Sequence, residues 1–235
     1  MKKKIFFLIL FCLGNSCSFQ KANYFPLNEN MTWNYRIDII PEIEKKSVYK
    51  KISSVLKKQK IFHPEINKEI IVYPLKRENN SIYYYNNSNE GILRVGKQFN
   101  SNNLEFEKKK RYVLKYPIKK GNSWVAESKT FLILRRYPYF DYKATANFEL
   151  KNKIMSLNEK IKVPAGSFKN CIKVEGSGET TFFGDSEIGT INIKITTSEW
   201  YAPNIGLVKA ERTEETDTDL FGTTKMVQVL DEFSD

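Results

Sequence analysis

Lys160-Ile-Lys-Val-Pro-Ala-Gly-Ser-Phe-Lys-Asn-Cys-Ile-Lys-Val-Glu175 reads as strand, tight turn, strand. Pro164 has no N–H to give to a ladder and closes the first strand. Gly166 has the freedom to take a positive φ that other residues avoid. Phe168 returns an apolar anchor to the core, and Cys171, Ile172 and Val174 continue as the second strand. The segment predicts a buried Phe168, an unpaired Cys171 and a structural role, not a catalytic one.

Downstream, Gly176-Ser-Gly178 predicts another turn, and Ile191-Asn-Ile-Lys-Ile-Thr196 alternates most clearly of all. Trp200 opens Trp-Tyr-Ala-Pro-Asn-Ile-Gly206, in which Pro203 and Gly206 make a turn before a strand over Leu207–Arg212. Glu214 to Asp219, then Gly222, form an acidic hairpin tip. Carboxylates cluster there as in calcium sites, but the spacing fits no EF-hand loop. Met226–Leu230 is the last strand.

Upstream, Ser156-Leu-Asn-Glu159 predicts a turn into the opening stretch, and Phe148, Leu150 and Ile154 share one side of the strand before it. Trp33, Tyr35, Ile37 and Ile39 alternate with polar neighbours, the period of a half-buried strand. Residues 42–60 fit both a helical stripe and a strand. Their lysines (45, 46, 50, 51, 57, 58 and 60) read as a solvated face. Ile70–Tyr73 is a short strand ended by Pro74. Ser81-Ile-Tyr-Tyr-Tyr85 and Ile92–Val95 flank a turn-rich Asn86–Gly91 and predict a β-hairpin. Residues 100–110 read as a loop, and Arg111–Tyr116 as a strand before Pro117. The aromatic and basic run Arg135–Tyr142 suits core packing or the rim of an apolar ligand site.

The chain has 235 residues, 14% aromatic and 28% charged, with a formal charge of +11, three of it from Lys2, Lys3 and Lys4. That length suits one β-rich domain with a real core. Those three lysines and the apolar Ile5–Leu13 make a secretory leader too short to span a bilayer. Gly14-Asn-Ser16 before Cys17 resembles a bacterial lipobox, with Leu13 one place further upstream than usual. The expected organisation is a lipoprotein signal peptide over 1–16, a lipidated tether over 17–23 and a single extracytoplasmic domain over 24–235. Ser18 is not the aspartate that favours inner-membrane retention, so the outer membrane is the expected location.

Cys12 leaves with the leader and Cys17 takes the lipid, so Cys171 remains as the single thiol and no internal disulfide forms. A nucleophilic cysteine needs a basic partner, and the one histidine, His63, sits in a loop-like Ile-Phe-His-Pro. There is no phosphate loop, no nucleophile elbow and no metal-ligand spacing. No cofactor, no metal and no enzyme activity are expected, and no nucleic acid partner.

Four segments together resemble a family of bacterial envelope lipoproteins, TapB-like or carrying a domain of unknown function. They are Tyr24-Phe-Pro-Leu…Trp33-Asn-Tyr35, Tyr83-Tyr-Tyr…Gly91-Ile, Val163-Pro-Ala-Gly-Ser-Phe…Cys171-Ile-Lys-Val174 and Trp200-Tyr-Ala-Pro-Asn-Ile-Gly206-Leu-Val-Lys209. Glu29-Asn30 departs from the family, which often carries a glycine before the Trp turn. The resemblance implies a mainly β fold: a curved antiparallel sheet or incomplete barrel, with little helix outside the leader. It implies no catalytic residues. The expected role is binding of an apolar ligand, a lipid or an envelope protein partner. The competing expectation is a surface-exposed structural or host-interaction lipoprotein without a pocket.

Cys17→Ala is expected to release the protein from membranes into the soluble fraction. An unlipidated variant that stays membrane-bound on fractionation contradicts the lipobox.

Overall fold

Alternation of inward apolar and outward polar side chains runs through almost every described segment, and the chain answers it with strands. The computed structural model describes residues 22–42, 45–100, 103–130, 132–136, 140–184, 186, 189–219 and 221–235. The expected leader, Cys17 and most of the tether lie outside them. Fifteen strands follow one another and no helix occurs among the described residues. They are β1 Thr32–Pro41, β2 Ser47–Val55, β3 Gln59–His63, β4 Lys68–Arg77, β5 Ile82–Ser88, β6 Gly91–Gln98, β7 Glu105–Lys115 and β8 Ser123–Lys129. Then come β9 Leu132–Arg136, β10 Phe140–Ala144, β11 Asn147–Val163, β12 Gly166–Phe183, β13 Thr190–Ala202, β14 Gly206–Thr216 and β15 Thr223–Ser234.

One antiparallel sheet runs in the order β7-β6-β5-β4-β2-β1-β15-β14-β13-β12-β11-β8, with β3 attached to β4; β9 and β10 pair separately. The sheet curls into a nearly closed barrel. Its two edges, β7 and β8, lie side by side without a ladder between them. Lys109 of β7 crosses the seam, 3.4 Å from Glu127 of β8 and 3.8 Å from Glu149 of β11. The mainly β, incomplete-barrel expectation holds.

The opening stretch is the β11–β12 hairpin. Val163 pairs with Gly166 across Pro164 and Ala165, and Gly166 has φ 140°. The Ala165 N–H donates to the Leu230 carbonyl at 3.1 Å, fastening the turn to β15. Cys171 is fully buried and unpaired. Phe168, expected in the core, is only half-buried; it packs beside Phe233, 6.2 Å between ring centroids, at the barrel's end.

Several expected turns are strands. Ser156–Glu159 lies inside β11, where three register slips against β12 absorb the extra residues as bulges. Gly176 and Gly178 lie inside β12. A Cβ on Gly176 would stand 2.4 Å from Thr197 Oγ1, and one on Gly178 would stand 2.6 Å from the Phe148 ring. These glycines make room for neighbours and do not bend the chain. Residues 105–110, expected in a loop, belong to β7, and 47–55 and 59–63 resolve as strands. Pro74 does not end β4. It sits where that strand leaves β3 and reaches β2, and its carbonyl accepts from Leu56 N–H at 2.8 Å. Asn30 takes φ 70° in the turn where a glycine was missing, a conformation that asparagine tolerates.

Residues 22–31 cross one end of the barrel. Asn204 N–H donates to the Asn23 carbonyl at 2.7 Å, Phe25 packs on Tyr85 at 5.2 Å, and Leu27 and Met31 are buried in the main core. A smaller cluster of Phe148, Ile191, Ile193, Ile195 and Phe221 is buried separately from this core.

Gly91 and Gly166 both have positive φ, yet their surroundings differ. A Cβ on Gly91 would stand 2.2 Å from the Leu114 carbonyl oxygen, whereas nothing lies within 4 Å of one on Gly166. Gly166→Ala is therefore expected to cost about 1–2 kcal/mol from backbone strain alone. Gly91→Ala should cost about 3 kcal/mol or more, because the β6–β7 ladder must also move. Urea unfolding of both variants gives the comparison, and equal costs would contradict it.

Candidate functional site

Beneath the 22–31 segment the barrel holds a cavity of about 210 Å³. Alternation on each strand selects its walls. β1 contributes Trp33 and Tyr35, β2 Lys51 and Ser53, β4 Leu75 and Arg77, β5 Tyr85, and β13 Glu199 and Tyr201. Phe25 and Pro26 close it from the crossing segment, with Gly206 and Leu207 from the start of β14.

The aromatic walls are held by their own polar tips. Trp33 Nε1–H donates to the Ile205 carbonyl at 2.7 Å, and Tyr35 O–H to the Leu207 carbonyl at 2.9 Å. These bonds tie β1 to the turn that begins β14, across a chain separation of 172 residues. Trp33 and Gly206, both singled out by sequence, thus meet at this site.

The charged groups are arranged differently. Lys51 Nζ donates to Gln228 Oε1 at 3.1 Å and lies 5.2 Å from the centre of the Tyr35 ring. The Arg77 guanidinium stacks 3.9 Å over Tyr83 and donates from one NH to the Tyr83 hydroxyl at 3.2 Å. Its Nε is buried without a partner. Glu199 accepts from the Tyr201 hydroxyl at 2.6 Å. Among the described side chains, no carboxylate lies within 4.0 Å of Lys51 Nζ or the Arg77 guanidinium. Two other half-buried cations differ: Arg94 is paired with Glu107, and Arg212 with Glu214.

Enclosure sets the protonation of this group. Loss of water, reinforced by repulsion from Arg77, pulls Lys51 down to about 7, against the opposing pull of Glu78 and Glu199. Burial raises Glu199 above the usual carboxylate range, and its bond from Tyr201 and nearby cations offset only part of this. Burial likewise raises Tyr35, Tyr85 and Tyr201.

The remaining sequence candidates lie elsewhere. Trp200 stands between Lys173 and Lys209, its partners on the neighbouring strands, with their ammonium groups 5.3 and 5.0 Å from the ring centre. Gly91, Pro164 and Gly166 form hairpin ends. Cys171 is in the core, where burial pushes its thiol up to about 11. His63 is buried against Phe106, 4.6 Å between rings. In the acidic tip, Glu214 pairs with Arg212, and Asp217 accepts from the Asn192 N–H at 2.9 Å. Lys51, Arg77, Glu199 and Tyr201 were not singled out from sequence. Lys51 was grouped with a solvated lysine face, and it departs from that face because β2 places Lys51, Ser53 and Val55 on its inner side. Once 47–55 is known to be a strand, that phase is the signal that finds it.

Residues 137–226 match a family model described as DUF3108-like. The matched span includes the opening hairpin and the Glu199–Tyr201 wall of the cavity. A crystal structure from Bacteroides fragilis, described as a candidate exported protein with a YmcC-like fold, is similar at 15% identity. The match covers 91% of this chain and 100% of that one, with a TM-score of 0.45. A candidate lipoprotein from Parabacteroides distasonis is similar at 17% identity, over 91% and 99% of the two chains, with a TM-score of 0.42. No curated protein sequence matches the chain. The family match covers under half of the chain, and the finer TapB resemblance is not among these matches.

A lysine held near 7 destabilises the fold wherever the unfolded chain binds the proton more tightly. For Lys51 the penalty is full below about pH 7 and fades as pH rises toward its ordinary value of 10.5. Lys51→Met is therefore expected to raise stability at pH 6–7, by about 2–4 kcal/mol. The gain should shrink steadily between pH 7 and 10. Taking the difference from wild type cancels the tyrosines and Cys171, which titrate in both proteins. A pH-independent difference in urea midpoints would contradict the burial of this amine.

Proposed function

We propose that this protein is an extracytoplasmic, lipid-anchored binding protein that holds a small ligand in its barrel and performs no chemistry on it. The cavity beneath residues 22–31 is the observation that carries the proposal. Its walls combine apolar surface from Trp33, Leu75 and Leu207 with a few convergent polar groups, the usual make-up of a ligand site. At about 210 Å³ it lies below the roughly 300–1,000 Å³ of drug-sized pockets, so it suits a single short chain or small molecule, not a whole diacyl lipid.

The leader and Cys17 support anchoring and export, and Ser18 supports the outer membrane. The non-catalytic character is supported by Cys171, whose buried thiol is poorly suited to ionise, and by His63, packed against an aromatic ring. Val48, Ile52, Phe62 and Ile71 are large apolar residues left exposed on β2, β3 and β4, and they favour a second reading in which an envelope protein docks there.

Native mass spectrometry of the full-length protein after gentle extraction tests the proposal. A small molecule should travel with a fraction of the protein, beyond the mass of the acylated chain. Ser53→Phe, which fills the cavity, should lose it. Wild-type protein with the mass of the acylated chain alone would count against ligand binding.

A further inference from the structure

We infer that the cavity selects a small amphiphile with an anionic head, a carboxylate or phosphate, held by Arg77 and Lys51 with its short apolar body against Trp33, Leu75 and Leu207. This rests on the binding role proposed above and specifies the chemistry of its ligand.

Arg77 carries the inference. Its guanidinium is fixed by stacking on Tyr83 at 3.9 Å, and one terminal nitrogen is engaged by the Tyr83 hydroxyl at 3.2 Å. Its Nε is buried and has no partner. The Nε edge of a guanidinium is one of the faces that a carboxylate or phosphate takes with two parallel hydrogen bonds. A buried donor without a partner is costly, and a ligand oxygen would satisfy it once a shift of the Arg77 side chain turns this edge into the cavity.

Lys51 lines the same cavity, and its single side-chain bond, to Gln228, leaves ammonium hydrogens to donate. Glu199 is the one carboxylate in the cavity wall, and the Tyr201 hydroxyl engages it. Arg77 supplies a cation, Lys51 is charged in part near neutral pH and burial shifts Glu199 toward its neutral form, so the wall attracts an anion. The apolar residues lie in the same wall, so a bound molecule meets both surfaces at once. The half-buried Arg94 and Arg212 need no such ligand, because Glu107 and Glu214 already pair with them.

The test uses the full-length protein in nanodiscs, dialysed to equilibrium against radiolabelled octanoate, octyl phosphate, 1-octanol or acetate, with empty nanodiscs subtracted. Octanoate and octyl phosphate should bind at least tenfold more tightly than octanol, and acetate at least tenfold more weakly than octanoate. Arg77→Met should reduce octanoate to the level of octanol. Arg77→Lys, which keeps the charge and loses the fork, should restore octanoate binding only in part. Circular dichroism verifies that each variant is folded; should Arg77→Met fail to fold, Lys51→Met must lower the octanoate-to-octanol ratio. Equal binding of octanol and octanoate to wild type overturns the anionic head while leaving the binding role intact. Binding of none of the four compounds overturns both. Preference for acetate over octanoate overturns the amphiphile and identifies a free small anion as the ligand.

Discussion

A single sheet that encloses its own core has to satisfy two demands at once. Its ladder must continue from strand to strand, and the side chains on its inner face must fill whatever volume the curl leaves. There is no second layer to correct a mismatch. In this protein the curl is made with bulges at Asn34/Tyr35, Tyr84/Tyr85 and Trp200/Tyr201, each beside a residue that walls the cavity. Where large side chains would collide, glycine gives way, as at Gly178 under the Phe148 ring. The remaining gap between β7 and β8 is bridged by Lys109 and two carboxylates in place of a ladder, so the barrel stays incomplete.

The N-terminal segment completes the enclosure. Trp33 and Tyr35 each combine a buried ring with one hydrogen bond to the chain around Gly206, which joins the beginning of the domain to its C-terminal half. Phe25 and Leu27 then cover the end of the lumen.

The lumen is not packed as stability alone would have it. Lys51, Arg77 and Glu199 have been taken out of water without the close ion pairs that usually compensate buried charge. Elsewhere the same barrel shows what compensation looks like, in Arg94–Glu107 and Arg212–Glu214. Inside one fold the two arrangements stand side by side, and in the cavity the uncompensated burial costs stability.

How much of this was legible follows from how local each cause is. Alternation, proline and turn chemistry act over a few residues, and the strands around Trp33, Ile92, Ile191 and Met226 and the 163–166 hairpin could be read from them. Glycine carries two meanings, a turn or a close approach, and only the neighbours of Gly176 and Gly178 distinguish them. A lysine in a basic run looks solvated until the phase of its strand is known, which hid Lys51. Sequence by itself determined a β-rich chain and the hairpin through Pro164 and Gly166, because each depends on residue type and near spacing. Only the tertiary structure decided that β1, β2, β4, β5 and β13 turn their polar side chains toward one cavity. Those strands are brought together by closure of the sheet, and no local pattern records which residues will face each other across a lumen.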